Sequence, residues 1–116
     1  MITAVHAMIM AHDPEAARAF LRDVVGLPNV DTGGGWLIFK SGPSEIGVHP
    51  ATGGERFDVS FVCDDLDSTI ADLASRGAEF SPVEEASWGR MTTMAVPGSR
   101  PIMLYQPTYD PPATSL

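Results

Sequence analysis

Two imidazoles and two carboxylates stand out as groups able to do chemistry: His6, Glu45, His49 and Asp58. The spacing of Glu45, Gly47 and His49 places them on one face of an extended segment, because side chains alternate across a strand. By the same alternation His6 shares a face with Ala4, Met8 and Met10, Asp58 with Ser60 and Val62, and Tyr105 with Met103. Polar groups that meet in an otherwise apolar concavity are the anatomy of a ligand site. A carboxylate can orient and charge-stabilise an imidazole for proton transfer, and His6 with Asp58 is the candidate pair for such a metal-free reaction. Plainer readings compete. His6 can bond backbone within a core, His49 next to Pro50 can lie at the surface, and Asp58 can be exposed near the start of its segment. If Asp58 is buried, it needs a cation, a metal or several donors. Trp36 and Trp88 follow turn-rich residues at similar places in the two halves, where they either pack in the core or wall a site for a planar ligand. Met8, Met10, Met91, Met94 and Met103 are adaptable lining or core filler. Cys63 is the only cysteine, which rules out an intrachain disulfide or a thiolate cluster and leaves a quiet thiol.

The elements that must position these residues repeat along the chain. Residues 3–10 read as a strand. Asp13 then caps a helix with Pro14 in its first position, Ala17, Phe20, Leu21 and Val24 on its apolar face, and Gly26 at its end. Extended segments follow at 27–30, 36–40 and 44–49. After a turn-rich linker at about 50–55, the strand 57–63 points Val59 and Phe61 at a second helix. Asp64 or Asp65 caps that helix, Leu66, Ile70, Leu73 and Ala74 share its face, and Gly77 closes it. Strands at 78–83, 89–96 and 101–106 complete the second half, with PGSRP as the last turn. Asp58 stands 52 residues after His6, Asp65 stands 52 after Asp13, and Gly77 stands 51 after Gly26. Three ordered matches argue for an internal duplication. The expected fold is α+β, with paired βαβββ modules of about 1–52 and 56–107 forming a curved mixed sheet around a cleft. Residues 1–107 make a single domain, and the proline-rich 108–116 forms a tail. A ferredoxin-like fold would leave two of these strands unused.

Composition bounds the partners. With 116 residues and 44% apolar content, the chain supplies one ordinary core. Its formal charge of -8, with arginines scattered at 18, 22, 56, 76, 90 and 100, disfavours nucleic acid and anionic membrane surfaces. The opening MITAVHAMIM has no basic n-region and no long apolar run, so a soluble cytoplasmic protein is expected. Open sheet edges in such a fold are commonly covered by a second copy, which predicts a homodimer.

The opening VHAMI, the segments DPEAARAFLRDVVGLP and FDVSFVCDDLDSTIADLASRGAEF, the WG at 88–89 and the closing PIMLYQP resemble the vicinal oxygen chelate superfamily. That group includes glyoxalase I, extradiol dioxygenases, fosfomycin-resistance enzymes and bleomycin-binding proteins, and the resemblance spans about residues 3–107. It implies the paired-module fold and, in catalytic members, a divalent metal held by four strand-borne side chains, commonly His, Glu, His and Glu. His6 matches the first position. Gly47 falls on the second, Asp58 replaces the usual histidine at the third, and Met103 replaces the usual glutamate at the fourth. Two donors make a weak site, although Glu45 or His49, about 6–7 Å from Gly47 along the strand, could complete it. The expected protein therefore binds a small organic molecule at His6, Asp58, His49, Glu45, Trp36, Trp88, Met103 and Tyr105. It has a degenerate metal site and needs no cofactor. The alternatives are a glyoxalase-like or dioxygenase-like metalloenzyme using His6 and Asp58 with Glu45 or His49, and a partner-binding module that keeps only the fold.

Overall fold

The computed structural model describes residues 1–97 and 100–116. Gly98 and Ser99, in the expected PGSRP turn, lie outside the described residues. The element order is β1 (Ile2–Ala11), α1 (Pro14–Phe20) running into a π-helical turn (Leu21–Val25), β2 (Asn29–Asp31), β3 (Leu37–Ser41), β4 (Ser44–Pro50), β5 (Arg56–Cys63), α2 (Leu66–Ser75), β6 (Glu84–Ala86), β7 (Gly89–Met94), β8 (Ile102–Pro107) and α3 (Pro112–Ser115). This is the βαβββ order twice over, in a mixed sheet with flanking helices. Among the described residues no helix is long and apolar enough to cross a membrane.

Two compact units divide the chain, Ala4–Val59 with Asp110–Leu116, and Met1–Thr3 with Ser60–Tyr109. In the first, the strands lie in the order β2-β3-β4-β1. β1 pairs parallel to β4 from His6↔Glu45 to Ala11↔Pro50, and β3 runs antiparallel to both β2 and β4. α1 starts where the sequence places it, because the Asp13 carboxylate accepts the Ala16 N–H at 3.0 Å and Pro14 has no N–H to leave unsatisfied. Its end also holds, with Gly26 in the left-handed region at φ 76°, where a glycine is the natural cap.

In the second unit the order is β5-β8-β7-β6, with β5 and β8 parallel and the other pairs antiparallel. Asp65 caps α2 by accepting the Ser68 N–H at 3.1 Å. Cys63, Leu66 and Leu104 form the core here, joined by Phe61, Ile70 and Phe80.

Four local expectations need correction. Phe20 and Val24 of the supposed apolar face are exposed, and Arg18 is the buried residue of α1. The π-helical turn accounts for part of this, since its longer hydrogen-bond spacing shifts the phase of a 3.6-residue pattern. Val59 is 54% exposed, so its face of β5 is covered only towards its end, at Phe61 and Cys63. The strand expected at 78–83 is reduced to a bridge between Phe80 and Met94, and pairing resumes at β6. The C-terminal tail contains α3, which packs on β3 and β4 and buries Pro112. Prolines at 111 and 112 open this helix, where they break no hydrogen bond.

Candidate functional site

The parallel register between β1 and β4 sets His6 directly beside Glu45. Their side chains meet through Nδ1 and Oε1 at 2.7 Å, with only 5% and 0% of their surfaces exposed. A carboxylate at this distance accepts the Nδ1 proton and thereby fixes the imidazole tautomer. Gly47, two residues beyond Glu45 on the same face, permits this arrangement by lacking a side chain. A Cβ there would come within 2.6 Å of His6 Nε2, so the imidazole occupies the space that any side chain at position 47 would need.

His49 continues the same face of β4 and is half-buried. Its ring meets Trp36 edge to face at 4.8 Å. Burial holds its pKa below the ordinary imidazole value, the charges of His6 and Arg18 act in the same direction, and Asp58 opposes them. The Arg18 guanidinium covers the Trp36 ring at 4.5 Å and donates to the Val48 carbonyl at 2.7 Å. Asp58 is oriented differently from the sequence expectation. Its carboxylate pairs with Arg56 at 3.2 Å in a partly exposed position, while the carboxylate bonded to His6 is that of Glu45.

Trp88, Met103 and Tyr105 belong to the second unit. Trp88 meets Tyr105 edge to face at 5.4 Å, and the hydroxyls of Tyr105 and Tyr109 lie 3.0 Å apart. Met103 lines a pocket of about 340 Å³ together with Ser81, Met91 and Thr93. The Ser81 hydroxyl is held there by the Thr93 N–H at 2.8 Å and the Thr93 hydroxyl at 2.9 Å. Buried Cys63 has its thiol pKa raised by desolvation, as befits a quiet core residue.

Sequence reasoning missed Arg18 and Tyr109. The repeat carried a signal for Arg18, because the 52-residue offset pairs it with Ile70, an apolar position. Nothing local marked Tyr109, which lies in a segment read as tail.

The four positions that the family pattern would give to a metal do not fit one. Only His6 keeps a ring nitrogen to offer, since its Nδ1 contact with Glu45 orients the ring without excluding the other nitrogen; Gly47 has no donor, Asp58 is engaged by a guanidinium, and Met103 offers a thioether that hard divalent ions bind poorly. Among the described residues no group of three or more His, Cys, Asp or Glu side chains could hold a metal ion.

No family model matches the sequence, and no curated protein does. Solved structures match in fold. A methylmalonyl-CoA epimerase from Streptomyces coelicolor, in complex with 2-nitronate-propionyl-CoA, superposes with a TM-score of 0.67 at 18% identity, over 94% of this chain and 100% of that one. A glyoxalase/bleomycin resistance protein/dioxygenase superfamily member from Vibrio splendidus gives 0.52 at 12% identity, over 88% and 97%. A catechol 2,3-dioxygenase gives 0.57 at 15% identity, over 91% of this chain and 40% of that one. The fold is thus that of the vicinal oxygen chelate proteins, as the sequence motifs suggested.

Proposed function

We propose that the protein binds a small organic molecule through the polar cluster of its first unit, without a tightly held metal. His6, Glu45, His49 and Trp36 are the contacting groups, with Asp58 at the margin. The observation that carries this reading is the buried His6–Glu45 pair. Taking such a pair out of water costs several kcal/mol, and apolar packing of the same volume commonly serves stability as well or better. A recognition role explains why the pair is there. Trp88, Met103 and Tyr105 are further candidates, as aromatic or soft walls with a pocket beside Met103. The fold accommodates ligands of this size, as the acyl-CoA analogue held by the epimerase illustrates.

A second reading rests on the same contact. An imidazole whose tautomer is fixed by a carboxylate is built for proton transfer, so a metal-free acid–base reaction at His6 is the enzymatic alternative. A ligand screen by thermal shift, run on wild type, H6Q and E45Q after metal analysis, separates the cases. Binding lost in both variants supports recognition, and retained binding with lost turnover supports the enzyme. Stoichiometric metal of micromolar or tighter affinity overturns the metal-free reading.

The chain is further proposed to be a cytoplasmic homodimer that binds neither nucleic acid nor membranes. Phe57 and Val59 support the pairing, being 81% and 54% exposed on one face of β5, and the charge of -8 supports the exclusions. Light scattering that shows a monomer at high micromolar concentration overturns the dimer.

A further inference from the structure

α1 and α2 are capped by aspartates 52 residues apart, and at the same offset Arg18 corresponds to Ile70. Ile70 packs against the Cys63–Leu66–Leu104 cluster. Where one helix presents an isoleucine to its unit, the other presents a guanidinium. Arg18 is only 9% exposed. A cation in that position is costly unless an anion compensates it, and among the described residues no ion pair within 4.0 Å includes Arg18. Its partners are neutral: the Val48 carbonyl at 2.7 Å and the face of Trp36 at 4.5 Å. Its Nε is buried without an acceptor. Both neighbours orient the guanidinium, and neither carries a negative charge. Trp36 in turn meets half-buried His49 edge to face at 4.8 Å, so a cation, an aromatic ring and an imidazole are in successive contact beside the His6–Glu45 pair.

We propose that Arg18, Trp36 and His49 form a subsite for an anionic group, a carboxylate or a phosphate, carried by the small-molecule ligand. Arg18 supplies charge and donors in a fork that matches either group, Trp36 gives a flat wall, and His49 adds a ring nitrogen. The inference rests on the ligand-binding reading above, and it narrows the ligand to anionic molecules.

The test uses the full chain with three probes at matched ionic strength: benzoate, phenyl phosphate and the neutral isostere benzamide. Thermal shift and the Trp36 indole NMR resonance report binding. At least one anion should bind about tenfold more tightly than benzamide, as a charge-assisted hydrogen bond requires. The better of the two identifies carboxylate or phosphate as the natural group. R18I, which copies the residue of the second helix, should bind the anion no better than benzamide and should melt higher than wild type without ligand. R18K, which keeps charge without the fork, should retain part of the preference and guards against loss of binding through misfolding. If all three probes bind wild type equally, the subsite is wrong while the binding reading stands. An anion preference that persists in R18I also overturns the subsite. If no probe binds, the subsite and the binding reading fail together.

Discussion

In the unit built on Ala4–Val59, the parallel ladder between β1 and β4 sets His6 beside Glu45. In the unit built on Ser60–Tyr109, the matching ladder between β5 and β8 sets Ser60 beside Met103. The helices differ in the same sense, with Arg18 buried on α1 and Leu66 and Thr69 buried on α2. The second unit shows that this βαβββ scaffold holds together with apolar side chains and hydroxyls. Ionisable groups inside the first unit are therefore not demanded by the scaffold, and burial makes them costly. The difference between the units separates what folds the chain from what it does.

Disrupting the His6–Glu45 pair should have the largest effect. E45A breaks this buried pair by removing one partner and should cost about 4 kcal/mol in denaturant unfolding. M103L, on β8 of the second unit, which pairs with β5 as β4 pairs with β1, keeps volume and polarity and should cost less than about 1.5 kcal/mol. Equal effects would remove the basis for assigning function to the first unit.

Two glycines give the next contrast. A Cβ at Gly89 would run into the Gln106 carbonyl oxygen and lie 3.1 Å from Pro107 Cα, both backbone atoms. G89A should therefore cost about 3 kcal/mol, at the upper end for overpacking, whereas G47A meets the tip of a side chain, which shifts more readily than backbone, and should cost about 1 kcal/mol. The mild substitution should nevertheless move the His6 ring resonances, which G89A should leave in place. An unmoved His6 spectrum in G47A would contradict the close approach of imidazole and glycine.

These contrasts also show where sequence reasoning reaches. Caps are local, so Asp13, Asp65 and Gly26 announced the helix ends, and strand alternation put Glu45, Gly47 and His49 on one face. Register is not local. Glu45 reaches His6 because of how β1 aligns with β4, and that alignment is decided between segments 39 residues apart. Periodicity failed at α1 for a different reason. It counts apolar residues as buried, so a buried arginine is invisible to it, and the π-helical turn after Phe20 then carries Val24 to the surface. The 78–83 segment contains Pro82, which cannot donate to a ladder, and the pairing moved on to Glu84–Ala86.

The units should also differ in how they respond to pH. All three histidines lie in the first unit, and His49 has its pKa lowered by burial from 6.5. The unfolded chain then takes up the proton first. Stability from this group is intact above pH 6.5, falls as pH drops through that value, and levels off below the folded pKa. H49Q should flatten that acidic slope. Cys63 in the second unit has its pKa raised by burial from 9.0, so the unfolded chain loses its proton first and stability falls as pH rises above 9.0. C63A should flatten that alkaline slope and leave the acidic one untouched. Melting curves from pH 5 to 10 on both variants read the two arms separately.

Asp58 provides the smallest and most discriminating test. By the repeat it is the counterpart of His6, yet it pairs with Arg56 where both side chains are almost half exposed. Water screens such a pair, so D58N should change stability by less than about 1 kcal/mol. A structural role is therefore slight, but an electrostatic one remains, because Asp58 is the group that raises the His49 pKa against burial, His6 and Arg18. Removing its charge should shift the His49 titration to lower pH in an NMR experiment, and the His6–Glu45 contact should be unchanged. If D58N destabilises the protein as much as E45A does, then Asp58 is buried and paired in solution, and the contrast drawn between the two carboxylates is lost. If the His49 titration does not move, Asp58 lies too far from the cluster to serve even at its margin, and the proposed contacts contract to His6, Glu45, His49 and Trp36, with Arg18 as their anion-binding end.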